Sequence, residues 1–218
     1  MNYDKIEYIT NLFFKFAQAL PAIEKDRFQG TTGEERQQLI QNEATKKGFS
    51  IVPKQRTPLN ESSVIAAIYN IINNEFPNLS DDEKKEFALT LATQIRLETG
   101  LKSSWNWNVG NIHATSAGQN KFWKGKVSVW DDPQIDKAGK QYVNKDWFWR
   151  AYDSLEDGIG DWFGLLKKRF PEAINEAMKG DAYAFGKALG QKGYYTADKE
   201  RYSKSLVKLK ENMRKSLG

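Results

Sequence analysis

With 218 residues, 39% of them hydrophobic and 28% charged, the chain is long enough for one domain, or one domain with an extension, around a real core. It has no Cys and one His, which excludes disulfides, thiolate metal sites, a Cys nucleophile and a multi-His metal centre, and no cofactor is expected. The net charge of +5 favours an anionic partner, whether nucleic acid, a membrane surface or an anionic polymer; the Lys and Arg residues are scattered, which argues against nucleic acid.

The first segment is amphipathic, with Ile6, Ile9, Phe13, Phe16, Ala17 and Leu20 at helical spacing and Pro21 at its end. Asp4 and Glu7 stand where a secretion signal carries basic residues, and Lys15 interrupts the apolar stretch, so no signal is read there. No run of about 18 apolar residues occurs, so no membrane span is expected. A weaker helix is expected over 34–47, closed by Gly48. Residues 49–60 contain Pro53 and Pro58 and read as an extended connection. This places a boundary between a helical N-terminal extension, 1–58, and a main domain, 59–218.

The main domain opens with a helix over 61–76, whose stripe is Val64, Ile65, Ile68, Ile71 and Ile72, and Pro77 ends it. Ser80-Asp81-Asp82-Glu83 is a capping box that starts a helix running to Thr99, stopped by Gly100. Residues 101–150 are rich in Gly, Asn, Ser and Trp. Within them, Lys126 to Trp130 alternates like a strand and Gln141 to Trp149 forms its partner, a β-hairpin among helices. Helices then resume through Leu155, Ile159, Trp162, Phe163 and Leu166, after Pro171, around Phe185 and Leu189, and through Tyr202, Leu206, Leu209 and Met213.

On the helix after Ser80 the buried face is expected at Phe87, Leu91 and Ile95, and the next residue on that face is Glu98. A carboxyl at the edge of a core is partly desolvated, which raises its pKa and lets it donate a proton near neutral pH. Cleavage of a glycosidic bond needs such a donor, because the leaving oxygen departs poorly until protonated. The plainer alternative is a Glu that ends a helix and points to water.

The flanking residues add to this. Glu98-Thr99-Gly100-Leu101-Lys102-Ser103-Ser104 resembles the Glu-Ser/Thr-Gly-x-x-Ser segment of the lysozyme-like glucosaminidases of glycoside hydrolase family 73, which includes autolysins, flagellar peptidoglycan hydrolases and phage lysins. Asn108-Val109-Gly110-Asn111-Ile112-His113-Ala114 is similar to that family's Asn-Leu-Phe-Gly-Ile-Lys-Ala, and Phe122-Trp123-Lys124-Gly125 to its Trp-x-Gly. Phe148-Trp149-Arg150-Ala151-Tyr152-Asp153-Ser154 resembles Phe-Arg-x-Tyr-Asp-Ser with one residue inserted, and Gly193-Tyr194-Tyr195-Thr196 resembles Gly-Tyr-Ala-Thr. The blocks occur in family order over roughly residues 60–210, and residues 1–58 lie outside them.

The resemblance implies an α+β, mostly helical lysozyme-like domain with a small β-hairpin that cuts peptidoglycan glycan strands. It places Glu98 at the catalytic acid, Tyr194 at a Tyr lining the active site, and Asn108, His113, Trp123 and Tyr195 among substrate-binding positions. Trp123 reads equally as a core residue, and His113, which replaces a Lys, as polar lining. Relatives often carry a second Glu on the hairpin; here Val129-Trp130-Asp131-Asp132-Pro133 offers Asp131, favoured by strand parity, or Asp132, or two turn acids with no catalytic part. Three activities stay open on these residues: a glucosaminidase, a muramidase and a lytic transglycosylase. An inactive wall-binding module is the remaining alternative, and no nucleic-acid partner is expected. Action on the wall without a signal implies delivery by a phage particle, a secretion machine or lysis.

Overall fold

The computed structural model describes residues 23–115, 118–135, 141–195 and 197–217; the amphipathic segment expected over 6–20 lies outside them. The described residues gather into two compact units. One unites the described parts of Met1–Glu43 and Val129–Trp147, the other those of Ala44–Ser128 and Phe148–Gly218. Seven helices and a few short strands among the described residues make the chain α+β and mostly helical.

In the first unit, strand β1 (Ile23–Lys25) runs parallel to β6 (Gln141–Arg150), pairing Ile23 with Tyr142 and Lys25 with Asn144. Helix α1 (Gly33–Lys46) starts here and leaves the unit in its last turn. Arg36 grips Asp26 through two bonds, 2.9 and 2.8 Å, and also meets Asp146. A forked guanidinium on two carboxylates holds geometry better than a single surface pair. The hairpin expected from alternation is present, and longer: β5 is Lys126–Ile135.

The second unit contains β2 (Ser50–Ile51), which runs parallel to the start of β5, and β3 (Arg56–Pro58), antiparallel to β4 (Ser103–Trp105). Its helices are α2 (Glu61–Glu75), α3 (Asp81–Thr99), α4 (Leu155–Arg169), α5 (Pro171–Met178), α6 (Ala182–Gln191) and α7 (Lys199–Leu217). Side chains of Asn60, Ser80, Ser154 and Asp181 cap α2, α3, α4 and α6. At Ser80 the capping box is complete, with Glu83 returning to the Ser80 N–H at 2.7 Å.

The expected apolar stripe on α3 proves too narrow. Every residue from Phe87 to Ile95 is buried, because α2, α5, α6 and α7 all pack against this helix. Its buried hydroxyls turn back on the helix: Thr90 donates to the Glu86 carbonyl at 2.8 Å and Thr93 to the Thr90 carbonyl at 2.6 Å. Phe76 meets Phe87 of this helix and Phe163 edge-to-face, and Trp162, Leu166 and Ile159 belong to the same core.

The loop after α3 is pressed hard onto α4. Asn106 and Trp107 have left-handed φ of 49° and 57°, unusual for an aromatic residue. The Trp107 N–H donates to Thr57 Oγ1 at 3.0 Å. A Cβ added at Gly158 would sit 2.0 Å from the Trp107 carbonyl oxygen, so only glycine fits. Gly164, on the same helix, has open space around it. Gly158→Ala is therefore expected to lose roughly 2 kcal/mol or more through overpacking, whereas Gly164→Ala gains about 0.5–1 kcal/mol of helix propensity; denaturant unfolding of the two variants checks the contrast.

Candidate active site

Helix α3 carries Gln94 and Glu98 one turn apart, so their side chains share a face. The helix stops at once: Gly100 is left-handed, φ 63°, and its N–H closes on the Arg96 carbonyl at 2.8 Å. Glu98 thus sits in the last turn, where the buried helix emerges.

Glu98 Oε1 accepts a hydrogen bond from the Tyr202 hydroxyl of α7 at 3.3 Å and a long one from Gln94 Nε2 at 3.4 Å. Gln94 Nε2 also donates to the Tyr194 hydroxyl at 3.0 Å. More than a third of Glu98 remains open to solvent, yet protein surrounds its carboxyl on most sides. Glu98 therefore stands at the edge of the packed helices, with solvent on its open side. Water access tempers the effect of the surrounding protein.

Burial raises the Glu98 carboxyl above its ordinary 4.5, and the bonds from Tyr202 and Gln94 pull it part of the way back. Burial first, and the charge of Glu98 second, push the Tyr194 and Tyr202 phenols well above their usual 10, so both stay neutral donors. Trp162 Nε1 is buried with no bond of ordinary length, though it lies close enough to Tyr194 to polarise its hydroxyl. The assembly is a desolvated acid held by neutral groups, suited to keeping a proton and releasing it to a ligand from the open side.

Of the residues read from the sequence, the structure brings Glu98 and Tyr194 together around Gln94. Tyr195 is occupied with packing: its hydroxyl donates to the Gly186 carbonyl at 2.9 Å and its ring stacks on Tyr202, centroids 3.7 Å apart. Asn108 is buried and bound at both ends, donating to the Ile112 and Arg150 carbonyls at 3.0 Å and accepting from the Ile112 N–H at 2.8 Å. Trp123 is 1% exposed, with its indole N–H on the Lys126 carbonyl and Arg150 over its face at 4.2 Å. It takes the core reading and has no free face on which a sugar could stack. His113 bridges to Trp149 and meets that ring edge-on at 4.1 Å.

Asp131 and Asp132 belong to the first unit. Asp131 is exposed, paired with Lys145 at 2.9 Å and accepting the Asp146 N–H at 3.1 Å. Asp132 is buried and accepts from Asn144 at 3.2 Å. Among the described residues no three His, Asp or Glu side chains gather as a metal site.

Two members of the site escaped the sequence reading. Tyr202 was placed on the apolar face of the last helix, and it is buried there, but its hydroxyl reaches Glu98. Gln94 had a signal that went unread: a polar amide one turn before the candidate acid, in the middle of an apolar helix.

No protein-family model matches the chain, and no curated protein matches it either. Among solved structures it is similar to a mutant peptidoglycan hydrolase from Sphingomonas sp. A1 (26% identity over 68% of this chain and 97% of that one, TM-score 0.47). The peptidoglycan hydrolase of the same organism gives 25% identity over 68% and 92%, TM-score 0.43. The catalytic domain of the autolysin Auto from Listeria monocytogenes gives 15% identity over 85% and 97%, TM-score 0.45. At these TM-scores the likeness decides nothing about chemistry.

The raised carboxyl makes a prediction about stability. Ionising Glu98 is harder in the folded chain than in the unfolded one, so the wild type loses stability as pH rises from the unfolded value of 4.5 through the folded one. Glu98→Gln removes that loss. Thermal unfolding is expected to show the variant more stable than the wild type near neutral pH, with the gap closing below 4.5.

Proposed function

We propose that the chain cuts the glycan strands of bacterial peptidoglycan as an endo-β-N-acetylglucosaminidase, with Glu98 as general acid. One observation carries the reading: a solvent-reached carboxyl at the end of a buried helix, held by Tyr202, Gln94 and, through Gln94, Tyr194, and raised by burial. The family 73 resemblance of the blocks around Glu98, Asn108, Arg150 and Tyr194 supports it, as does the α+β, mostly helical build expected of a lysozyme-like domain.

In the proposed reaction the Glu98 proton passes to the glycosidic oxygen as its bond to the sugar breaks, and positive charge builds on the ring. The groups bonded to Glu98 are an amide and a phenol, not a second carboxylate. We therefore assign the second role to the N-acetyl oxygen of the substrate, which closes on the ring carbon as the leaving group departs. Ionised Glu98 then takes a proton from the water that reopens that ring, and the product ends in a reducing N-acetylglucosamine. On this reading Asp131 and Asp132 shape the hairpin, and residues 1–58 are an extension to the glycan-cutting part at 59–218. The wall is the place of action.

The test is to digest purified peptidoglycan with wild type and Glu98→Gln, reduce the fragments with borohydride and weigh them. Wild type is expected to release reduced N-acetylglucosamine ends, and the variant at least about 100-fold less. Muramic acid ends mean a muramidase, and anhydromuramic ends a transglycosylase. Binding to the wall without release by either protein overturns the catalytic reading.

A further inference from the structure

We infer that Gln94 is a positioning residue whose buried amide turns with the proton on Glu98, nitrogen toward the ionised carboxylate and oxygen toward the protonated acid. The inference rests on the proposed role of Glu98 and adds a second moving part to it.

Gln94 is fully buried, and its two polar atoms are treated unequally. Nε2 is shared between the Tyr194 hydroxyl at 3.0 Å and Glu98 Oε1 at 3.4 Å. Oε1 is buried and finds no hydrogen-bond partner among the described residues. A buried carbonyl left unpaired costs free energy, so the site needs a reason to keep it. The observed orientation is the one an ionised Glu98 wants, because a carboxylate only accepts. A protonated Glu98 has an O–H to donate, and an N–H pointing at it is then the wrong partner.

Half a turn about the last side-chain torsion exchanges the amide oxygen and nitrogen without moving the backbone. Oε1 then stands where both the Glu98 O–H and the Tyr194 O–H can donate to it. The outer end of the amide lacks a partner in either orientation. The balance between the two is therefore set by the Glu98 proton and the Tyr194 hydroxyl. On substrate binding the Glu98 O–H turns from Gln94 Oε1 to the leaving oxygen, and once that proton has passed an N–H of Gln94 takes its place as the bond between the two side chains.

The titratable groups facing the pair are Tyr194 and, from α7, Tyr202. Several charged groups on the packed elements are engaged elsewhere. Glu61 of α2 holds Arg96; Glu172 and Glu176 of α5 hold Lys192 and Lys179; Lys187 of α6 holds Glu200; and Lys210 and Arg214 of α7 hold Glu86.

The experiment is an NMR titration of the full chain, following the Gln94 side-chain amide and the Glu98 carboxyl carbon together. The amide resonances are expected to move with the same midpoint as the carboxyl, and to stop moving in Glu98→Gln. Gln94→Met removes the donor to the ionised form. The Glu98 midpoint and the basic limb of kcat are then expected to shift together to higher pH, with kcat down about tenfold and KM little changed. Gln94→Glu keeps the shape and makes a carboxyl pair, so its midpoint is expected higher still. An amide that stays flat while Glu98 titrates overturns the inference, and so does an unmoved midpoint in folded Gln94→Met. Should Gln94→Met not fold, the wild-type titration decides alone. Full glycan-cutting activity in Glu98→Gln overturns the proposed role of Glu98 instead, and is read separately from the amide titration.

Discussion

Helix α3 is enclosed on every side from Phe87 to Ile95, and that enclosure governs what the rest of the unit can do. A helical stretch with no solvent face has to satisfy its polar side chains from within. Thr90 and Thr93 do so on their own backbone. Gln94 does so only in part, and Glu98 is where the helix reaches open space. Chemistry is therefore confined to the last turn, where protein density stays high while one direction is left for a ligand.

A second constraint fixes the loop that follows. Asp161 of α4, 5% exposed, collects Arg150 and Tyr152 at 2.6 Å each and Asn120 at 2.7 Å. Removing one partner from a buried charge of this kind costs about 3–5 kcal/mol. The three donors come from the segment before β5 and from the end of β6, so one carboxylate ties both to α4. Asn108, reaching the Arg150 carbonyl, extends the same brace to the loop beyond Glu98. Asn108, Arg150 and Tyr152 thus hold the loop in place.

Local rules made much of this architecture legible. Caps at Ser80 and Gly100 bounded α3, and alternation located β5 and β6. What was not legible depended on distant partners. Two- and three-residue strands such as β2 and β3 have no period to detect. Parity favoured Asp131, but Ser128 and Asp132 are buried where an even alternation from Val127 would turn them outward. The enclosure of α3 is a property of four neighbouring helices, so a one-sided stripe was all its own residues could announce. At the site, the candidate acid could be read from a carboxyl at the end of an apolar run. Tyr202 could not, because it is 104 residues away and meets Glu98 only through the tertiary fold.

The stacking of Tyr195 on Tyr202, with rings 15° from parallel, has a consequence for binding. Tyr195 is itself pinned, its hydroxyl bound to Gly186 and its ring end pressed against Gly190. Tyr202 cannot swing aside; only its O–H can rotate. The rotamer freedom that a bound ligand would otherwise have to freeze has already been surrendered during folding, so little affinity is lost to ordering this ring.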